Sequence, residues 1–455
     1  MKNILEHKFL DIFCIFIIFL TAPLFFYKLG QSSLVSFDEA WYGDIARNSL
    51  MSGNFINLTW NGGYYIDHPP VGFLLITISE NLFGINAFGV RFASALSGLL
   101  SMVVIYFLGK ELFGRVVGLS SALVLPSSFW FLFRSRSGNL DIILVFLFLL
   151  TLFFAIKASK EKKFLLPWSI SLTSLFLTKT LVPFTIIPSL LIIFWKLKYK
   201  WKDFIPLIVL IFGIVGGWFI FQIFENRSFL NHFFGIGLPG VSAQTSFLEN
   251  FKLTKEYLHA GVGKWFWPGL LAIFAGLFLM QRRFLILSVF FFVFFTPFIF
   301  SSKGHIWHLI PLHPILMLAF FGFSYVILKR FIRSELVILV LFLVLVGYVS
   351  FLQTKRSWYE FIDIPAFISD EEILSKEAGK YPYDLFIDGD FVPAAVFYSG
   401  KKVNQIEKNR LSGIFKERRS VLVITYQWQL DGLGIKKDQY EVLKTDRDKM
   451  LILIK

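Results

Sequence analysis

Cysteine is almost missing from this chain. Cys14 is its one representative in 455 residues, and it falls inside an apolar run. No internal disulfide can form, and cysteine usage leaves the redox compartment open. Charge is also sparse, at 17% of residues. The C-terminal hundred residues contain no glycine-rich nucleotide fingerprint, and the apolar part shows none of the internal repetition common in transporters. The first apolar segment lacks a small-residue cleavage site, so it reads as an anchor and not as a removed signal peptide.

Apolar surface is what the chain has in excess. Hydrophobic residues make up 56% of it, 58 of them phenylalanine, and the mean hydropathy is +0.65. A soluble globule could not cover that much, so the chain reads as a polytopic α-helical membrane protein. The net charge of +14 does not point to nucleic acid, because the lysines and arginines lie in short clusters between apolar runs, where the positive-inside rule accounts for them.

Apolar runs at 9–26, 92–109, 116–133, 140–156, 164–178, 180–195, 204–224, 265–280, 284–300, 306–328 and 335–352 give about eleven spans at roughly 20 residues per crossing. Lys110 and Arg115, the lysines of 157–163 and 196–202, Arg282 and Arg283, and the cluster at 329–333 then all fall on the side of Lys2 and Lys8. That side is the cytoplasm. The loop at about 30–91, the loop at about 225–264 and the C-terminal hundred residues fall outside, which puts the transmembrane domain at 1–353 and a small α/β extracytoplasmic domain at 354–455. In the first loop, residues 39–50 set Tyr42, Ile45, Ala46 and Leu50 against Asp44, Arg47 and Asn48 at helical spacing, predicting an interfacial helix. The 71–83 run joins the same layer. In the C-terminal domain strands are expected at 383–387, 394–398, 420–426 and 450–454, and a helix at 370–378.

Ionisable groups at a membrane edge are functional candidates by default. Asp38 and Glu39 follow the first span; a capping box from Ser36 to Glu39 is the alternative reading of that pair. Asp67 and His68 precede two prolines that stiffen the backbone. Arg134 and Arg136 precede Asp141, which opens a very apolar helix, and Lys179 sits between two apolar runs. Lys303, His305 and His308 lie in or beside one outer loop. Plainer readings stand beside these. The arginines can mark the interface, Lys179 can snorkel, Asp141 can cap its helix, and His308 and His313 can be interface histidines. Taken together, acids, arginines, lysines and histidines on one face suit a negatively charged lipid headgroup. Arginine and lysine would neutralise a phosphate, and an aspartate would activate an acceptor hydroxyl.

Five motifs occur in a telling order: Phe37-Asp38-Glu39-Ala40-Trp41-Tyr42, Tyr65-Ile66-Asp67-His68-Pro69-Pro70, Gly138-Asn139-Leu140-Asp141, Leu177-Thr178-Lys179-Thr180, and Ser301-Ser302-Lys303-Gly304-His305 leading to Pro311-Leu312-His313-Pro314. Over roughly residues 10–350 the chain resembles bacterial protein-mannosyltransferase-like enzymes. Within the polyprenyl-phosphate-dependent glycosyltransferase C superfamily, it resembles the branch that holds the 4-amino-4-deoxy-arabinose lipid A transferases.

The resemblance implies an inner-membrane enzyme that moves a sugar from a polyprenyl-phosphate carrier, with inversion, to a lipid, glycan or protein acceptor on the extracytoplasmic side. It implies Asp38, with Glu39, at the reaction centre and Asp141 as the second acid. Donor phosphate falls to His68, Lys179, Arg134, Arg136 and Lys303, and substrate contacts to Tyr42, Tyr65, Asp67, His305 and His308. The branch commonly has lysine where this chain has His68, and neutral imidazole offers one hydrogen bond in place of a full charge. The resemblance also admits a divalent metal held by Asp67 with His305 or His308. A lipid transporter or flippase, or a catalytically silent lipid-binding relative, is the alternative.

Overall fold

The computed structural model describes residues 2–35, 37–195, 199, 201–237, 246–301, 304–389, 392–406, 410–416 and 420–454. The chain divides into two compact units. One holds residues 1–28, 66–72 and 92–364; the other holds 29–65, 73–91 and 365–455. The opening loop is therefore folded largely together with the C-terminal segment.

The first unit is a helical bundle. Among the described residues, seven helical segments are long and apolar enough to cross a bilayer: Lys8–Phe26, Ala87–Phe113, Asp141–Ala158, Ile205–Glu225, Phe247–Leu279, Arg282–Ile299 and Glu335–Ile362. An eighth is reached if Arg115–Ser127 and Phe129–Ser135 count as one, although they are bent by 75°. Pro126 lies at that bend and cannot continue an α-helical ladder. The runs at 164–178 and 180–195 form the helices Leu165–Phe176 and Ile187–Phe194, shorter than the roughly 20 residues a full crossing needs. Length alone thus yields fewer crossings than the apolar pattern suggests.

Burial sorts these helices. Asp141–Ala158 is largely enclosed, whereas Ile205–Glu225 turns Val209, Phe212 and Phe224 outward. Phenylalanines exposed along a span are suited to lipid. Asp11, inside the first span, accepts from Tyr106 Oη at 2.6 Å, Lys110 Nζ at 2.5 Å and Arg115 Nε at 2.9 Å. An acid in that setting needs such donors, and these tie the first helix to its neighbours. Gly109 and Gly118 let two backbones meet, since a Cβ on Gly109 would lie 2.7 Å from the Gly118 Cα.

The second unit is built on a five-stranded mixed sheet of β1 (Asp384–Asp388), β2 (Val403–Ile406), β3 (Val421–Tyr426), β4 (Tyr440–Asp446) and β5 (Lys449–Ile454). The order is β2-β1-β3-β5-β4, with β1 parallel to β2 and β3 and the β3-β5-β4 pairings antiparallel. Alternation along β3 sends Leu422 and Ile424 into one core and Val421 and Val423 into the other. The Asp370–Ala378 helix forms as expected. The strand expected at 394–398 is instead the helix Val392–Ser399, because Pro393 sits in its first turn and Ala394-Ala395 favour helix. Strands β2 and β4 are additional to those expected.

Residues 39–50 lie in the helix Asp38–Ser52, but its polar side is not solvated. Asp44 and Arg47 are both buried and paired with each other. Arg47 also donates to the Phe397 carbonyl at 2.7 Å. The Val392–Ser399 helix covers the face the sequence assigns to water. Gly43 allows the approach: a Cβ there would lie 2.7 Å from Val90 Cγ2 and 2.9 Å from the Phe397 ring.

Candidate active site

The first unit brings together three of the charged residues singled out in the sequence. Asp141 begins its helix and is 3% exposed. Arg134 Nη2 donates to Asp141 Oδ2 at 2.6 Å, and Lys179 Nζ donates to Asp141 Oδ1. Asp141 does not cap its own helix. Asn139 does so, with Oδ1 accepting from the backbone N–H of Asp141 at 2.9 Å and of Ile142 at 3.2 Å. Its amide nitrogen meanwhile donates to the Arg134 carbonyl at 2.5 Å. The Gly-Asn-Leu-Asp motif therefore frees the aspartate side chain to face two cations. Lys179 reaches it from the turn after Leu165–Phe176, where Thr178 Oγ1 bonds back to the Ser174 carbonyl at 2.6 Å.

One carboxylate thus sits between a guanidinium and an ammonium in a nearly dry setting. Both cationic side chains are about nine-tenths buried. Buried charges are costly unless paired and hydrogen-bonded, and here the two cations converge on one carboxylate. Trp307 lies under the Arg134 guanidinium, 5.5 Å from its ring centre, which fixes the plane of the fork. His305 stacks on the same tryptophan at 4.6 Å, and His308 Nδ1 accepts from the His305 N–H at 3.3 Å.

His68 is buried against this cluster. Burial first, and the Lys179 ammonium second, push its imidazolium down to about 3, far below the ordinary value near 6.5. Its ring is neutral near pH 7, so the positive charge here belongs to Arg134 and Lys179.

Asp67 meets His232, with 2.6 Å between Oδ1 and Nε2, and not His305 or His308. His232 sits on the helix Phe229–Gly237, and nothing in the sequence pattern singles it out. Among the described residues no three histidine, cysteine or acidic side chains converge as a metal would need. Asp67 and His232 alone do not complete such a set. Arg136 turns to backbone, donating to the Leu24 and Tyr27 carbonyls at 3.0 and 2.7 Å. His313 is fully buried, 2.7 Å from Ser128 Oγ, which is a core position and not an interface. Lys303 lies outside the described residues.

In the second unit the two adjacent acids part company. Glu39 is 3% exposed and takes Arg91 through both oxygens, Nε to Oε1 and Nη2 to Oε2, each at 2.8 Å. It also accepts the Val35 N–H at 2.8 Å. Arg91 spends its other donors on the Leu29, Ser32 and Ser33 carbonyls. The clasp fixes residues 29–35, the entry to the helix. Asp38 is the first residue of that helix, half-buried, where a carboxylate suits the helix dipole. Ser36, needed for a capping box, lies outside the described residues. Tyr42 and Tyr65 are both buried against Phe73, with ring centres 5.3 Å away in each case, and Trp41 joins Tyr65 at 5.9 Å. Sequence pattern misses Arg91 because nothing local links it to an acid 52 positions earlier.

The family model described as dolichyl-phosphate-mannose-protein mannosyltransferase matches residues 67–220. An uncharacterized protein of Aquifex aeolicus is 29% identical over 212 residues, 45% of this chain and 42% of the relative. Undecaprenyl phosphate-alpha-4-amino-4-deoxy-L-arabinose arabinosyl transferase 2 of Pseudomonas fluorescens is 32% identical over 195 residues, 41% of this chain and 35% of the relative. Each match thus spans less than half of its curated relative. Among solved structures, ArnT from Cupriavidus metallidurans bound to undecaprenyl phosphate superposes with a TM-score of 0.72, at 15% identity over 98% of both chains. The oligosaccharyltransferase of Archaeoglobus fulgidus gives 0.62, at 11% identity over 92% of this chain and 70% of that one. Over residues 67–220 the chain is thus similar in sequence to the protein-mannosyltransferase family, and as a whole it shares the fold of ArnT.

Proposed function

We propose that the protein transfers a sugar from a polyprenyl-phosphate carrier to an envelope acceptor, at the extracytoplasmic face of the inner membrane and with inversion at the anomeric carbon. The observation that carries this reading is the buried convergence of Arg134 and Lys179 on Asp141, which sets two phosphate-binding cations side by side. A guanidinium and an ammonium so placed suit a carrier phosphate, and they hold it most strongly as negative charge builds on the departing oxygen. Asp141 holds the two cations apart and aimed. His68, neutral, contributes a hydrogen bond and no charge.

Asp38 is the acid proposed to orient or deprotonate the acceptor hydroxyl. Glu39 serves it indirectly by holding the preceding segment through Arg91. The matched relatives from Pseudomonas are named as arabinosyl transferases that use an undecaprenyl-phosphate sugar, which supports a sugar on such a carrier; the lipid A type acceptor rests on the resemblance of the motifs. The deciding experiment mixes purified protein with a labelled undecaprenyl-phosphate sugar and lipid A. Sugar in the lipid A fraction, lost with Asp38→Asn, supports the proposal. Movement of intact carrier across a vesicle membrane without sugar transfer would favour a flippase.

A further inference from the structure

A second site lies at the opposite end of the Asp141–Ala158 helix. There a cavity of about 340 Å³ is lined by Glu111, Lys160, Arg282 and Arg283 on its polar side and by Leu112, Ile156, Ile193 and Ile286 on its apolar side. From Asp141 to Ser159 the helix rises about 27 Å at roughly 1.5 Å per residue. The cavity therefore sits a bilayer's hydrocarbon thickness from the Asp141 cluster and is no part of it.

Its charges do not balance. Glu111 is satisfied by Lys157 at 3.2 Å and Lys160 at 2.7 Å. Among the described residues neither arginine meets a carboxylate. Arg282 donates to the carbonyls of Ile192, Ile193 and Trp195, closing the end of the Ile187–Phe194 helix. Arg283 donates to Gln281 Oε1 and lies over the Phe113 ring at 5.0 Å. Two guanidiniums held by neutral partners at the rim of an isoleucine-walled hollow make an amphipathic receptor, with a fork for a phosphate and an apolar wall for the carbon chain attached to it. Trp195, 70% exposed beside it, is a residue typical of the headgroup layer.

We propose that this cavity binds the headgroup of an anionic membrane phospholipid, with Arg282 and Arg283 on the phosphate and Ile156, Ile193 and Ile286 against the adjoining glycerol and methylenes. The apolar wall and the position at the ends of three spans argue for a lipid over a soluble phosphate. Basic pockets between spans are a recognised mode of such binding. Occupancy would join the ends of the Ala87–Phe113, Asp141–Ala158 and Arg282–Ile299 helices, steadying the bundle far from the chemistry.

Native mass spectrometry of the full chain in detergent tests this, with phosphatidylglycerol, phosphatidylcholine or inorganic phosphate added. Wild type is expected to keep phosphatidylglycerol about tenfold better than phosphatidylcholine, and inorganic phosphate is expected not to compete. Arg282→Gln with Arg283→Gln should erase the preference, while Lys329→Gln, outside the cavity, should keep it. Because Arg282 also closes a helix end, Ser159→Phe, which fills the hollow and spares both arginines, is the second variant and should lose the lipid likewise. Equal retention of the two lipids, an unchanged preference in Ser159→Phe, or displacement by inorganic phosphate would each overturn the proposal.

Discussion

Arg91 grips Glu39 through both carboxylate oxygens, at 2.8 Å each, across 52 residues of sequence. Nearly every donor of that guanidinium is matched, so the pair is a buried clasp whose partners cannot be removed singly. Glu39→Ala leaves Arg91 buried beside carbonyls alone and should cost about 3–5 kcal/mol. Arg91→Lys should also destabilise, since one ammonium cannot replace a fork that reaches an acid and three carbonyls. Thermal unfolding in detergent reads both. Asp38→Asn should leave the melting temperature near wild type while abolishing transfer. Equal melting losses for Asp38→Asn and Glu39→Ala would contradict this division of labour.

Asp141 and its two cations give a prediction with opposite signs. Lys179→Ala leaves Asp141 paired with Arg134, so the folded state should hold and carrier affinity should fall about tenfold to a hundredfold, as for loss of a charge-assisted contact to phosphate. Asp141→Asn keeps both cations and removes their counter-charge. That variant should unfold more easily but regain stability when undecaprenyl phosphate is added, because the ligand supplies the missing anion. Melting curves with and without carrier measure both effects. No carrier-dependent recovery in Asp141→Asn would count against a phosphate at this place.

Local interactions are legible in this sequence and distant ones are not. The spans can be read because phenylalanine-rich runs need no partner to be recognised, and Lys179 stands out because ammonium in an apolar stretch is conspicuous. Asn139 is visible within its motif, but its capping role needs the turn geometry. The position of the Asp38–Ser52 helix is legible and its environment is not: Asp44 and Arg47 imply a wet face until the Val392–Ser399 helix, some 350 residues on, is seen to cover it. Distance along the chain likewise hides Arg91 from Glu39 and His232 from Asp67. At 394–398 the β-branched and aromatic residues suggest a strand, yet Pro393 and two alanines prevail in the fold.

His68 offers a test of the departure from lysine. Its imidazole is lowered to about 3 by burial and then by Lys179. For a histidine with a folded value below its unfolded one, the stability it contributes is present above about 6.5 and is lost as pH falls from there toward 3. Wild type should therefore lose stability below pH 6.5 faster than His68→Gln, measured by melting temperature across that window. His68→Lys should tighten carrier binding near pH 7 by adding a second ammonium beside Lys179, and destabilise the protein without carrier. Parallel pH profiles for wild type and His68→Gln would refute the neutral, buried assignment.

Glu80 carries the opposite sign. It is 1% exposed on the Val71–Phe83 helix, and neither carboxyl oxygen meets a hydrogen-bond donor among the described residues. Burial, only partly offset by Arg47 and reinforced by Asp44, raises it to about 9. The folded state therefore keeps the proton at pH 7, whereas the unfolded chain releases it near 4.3. Stability from this group is complete below about 4.3 and declines as pH climbs toward 9. Glu80→Gln has the shape of the protonated acid and no proton to lose. It should match wild type at pH 4, exceed it by about 5 kcal/mol at pH 8, and flatten the alkaline limb of the melting profile. Glu80→Asp keeps the titration and shortens the reach, so it should retain the slope and lower the whole curve. If Glu80→Gln tracks the wild-type profile at every pH, the carboxyl is ionised in the fold and some donor must be reaching it.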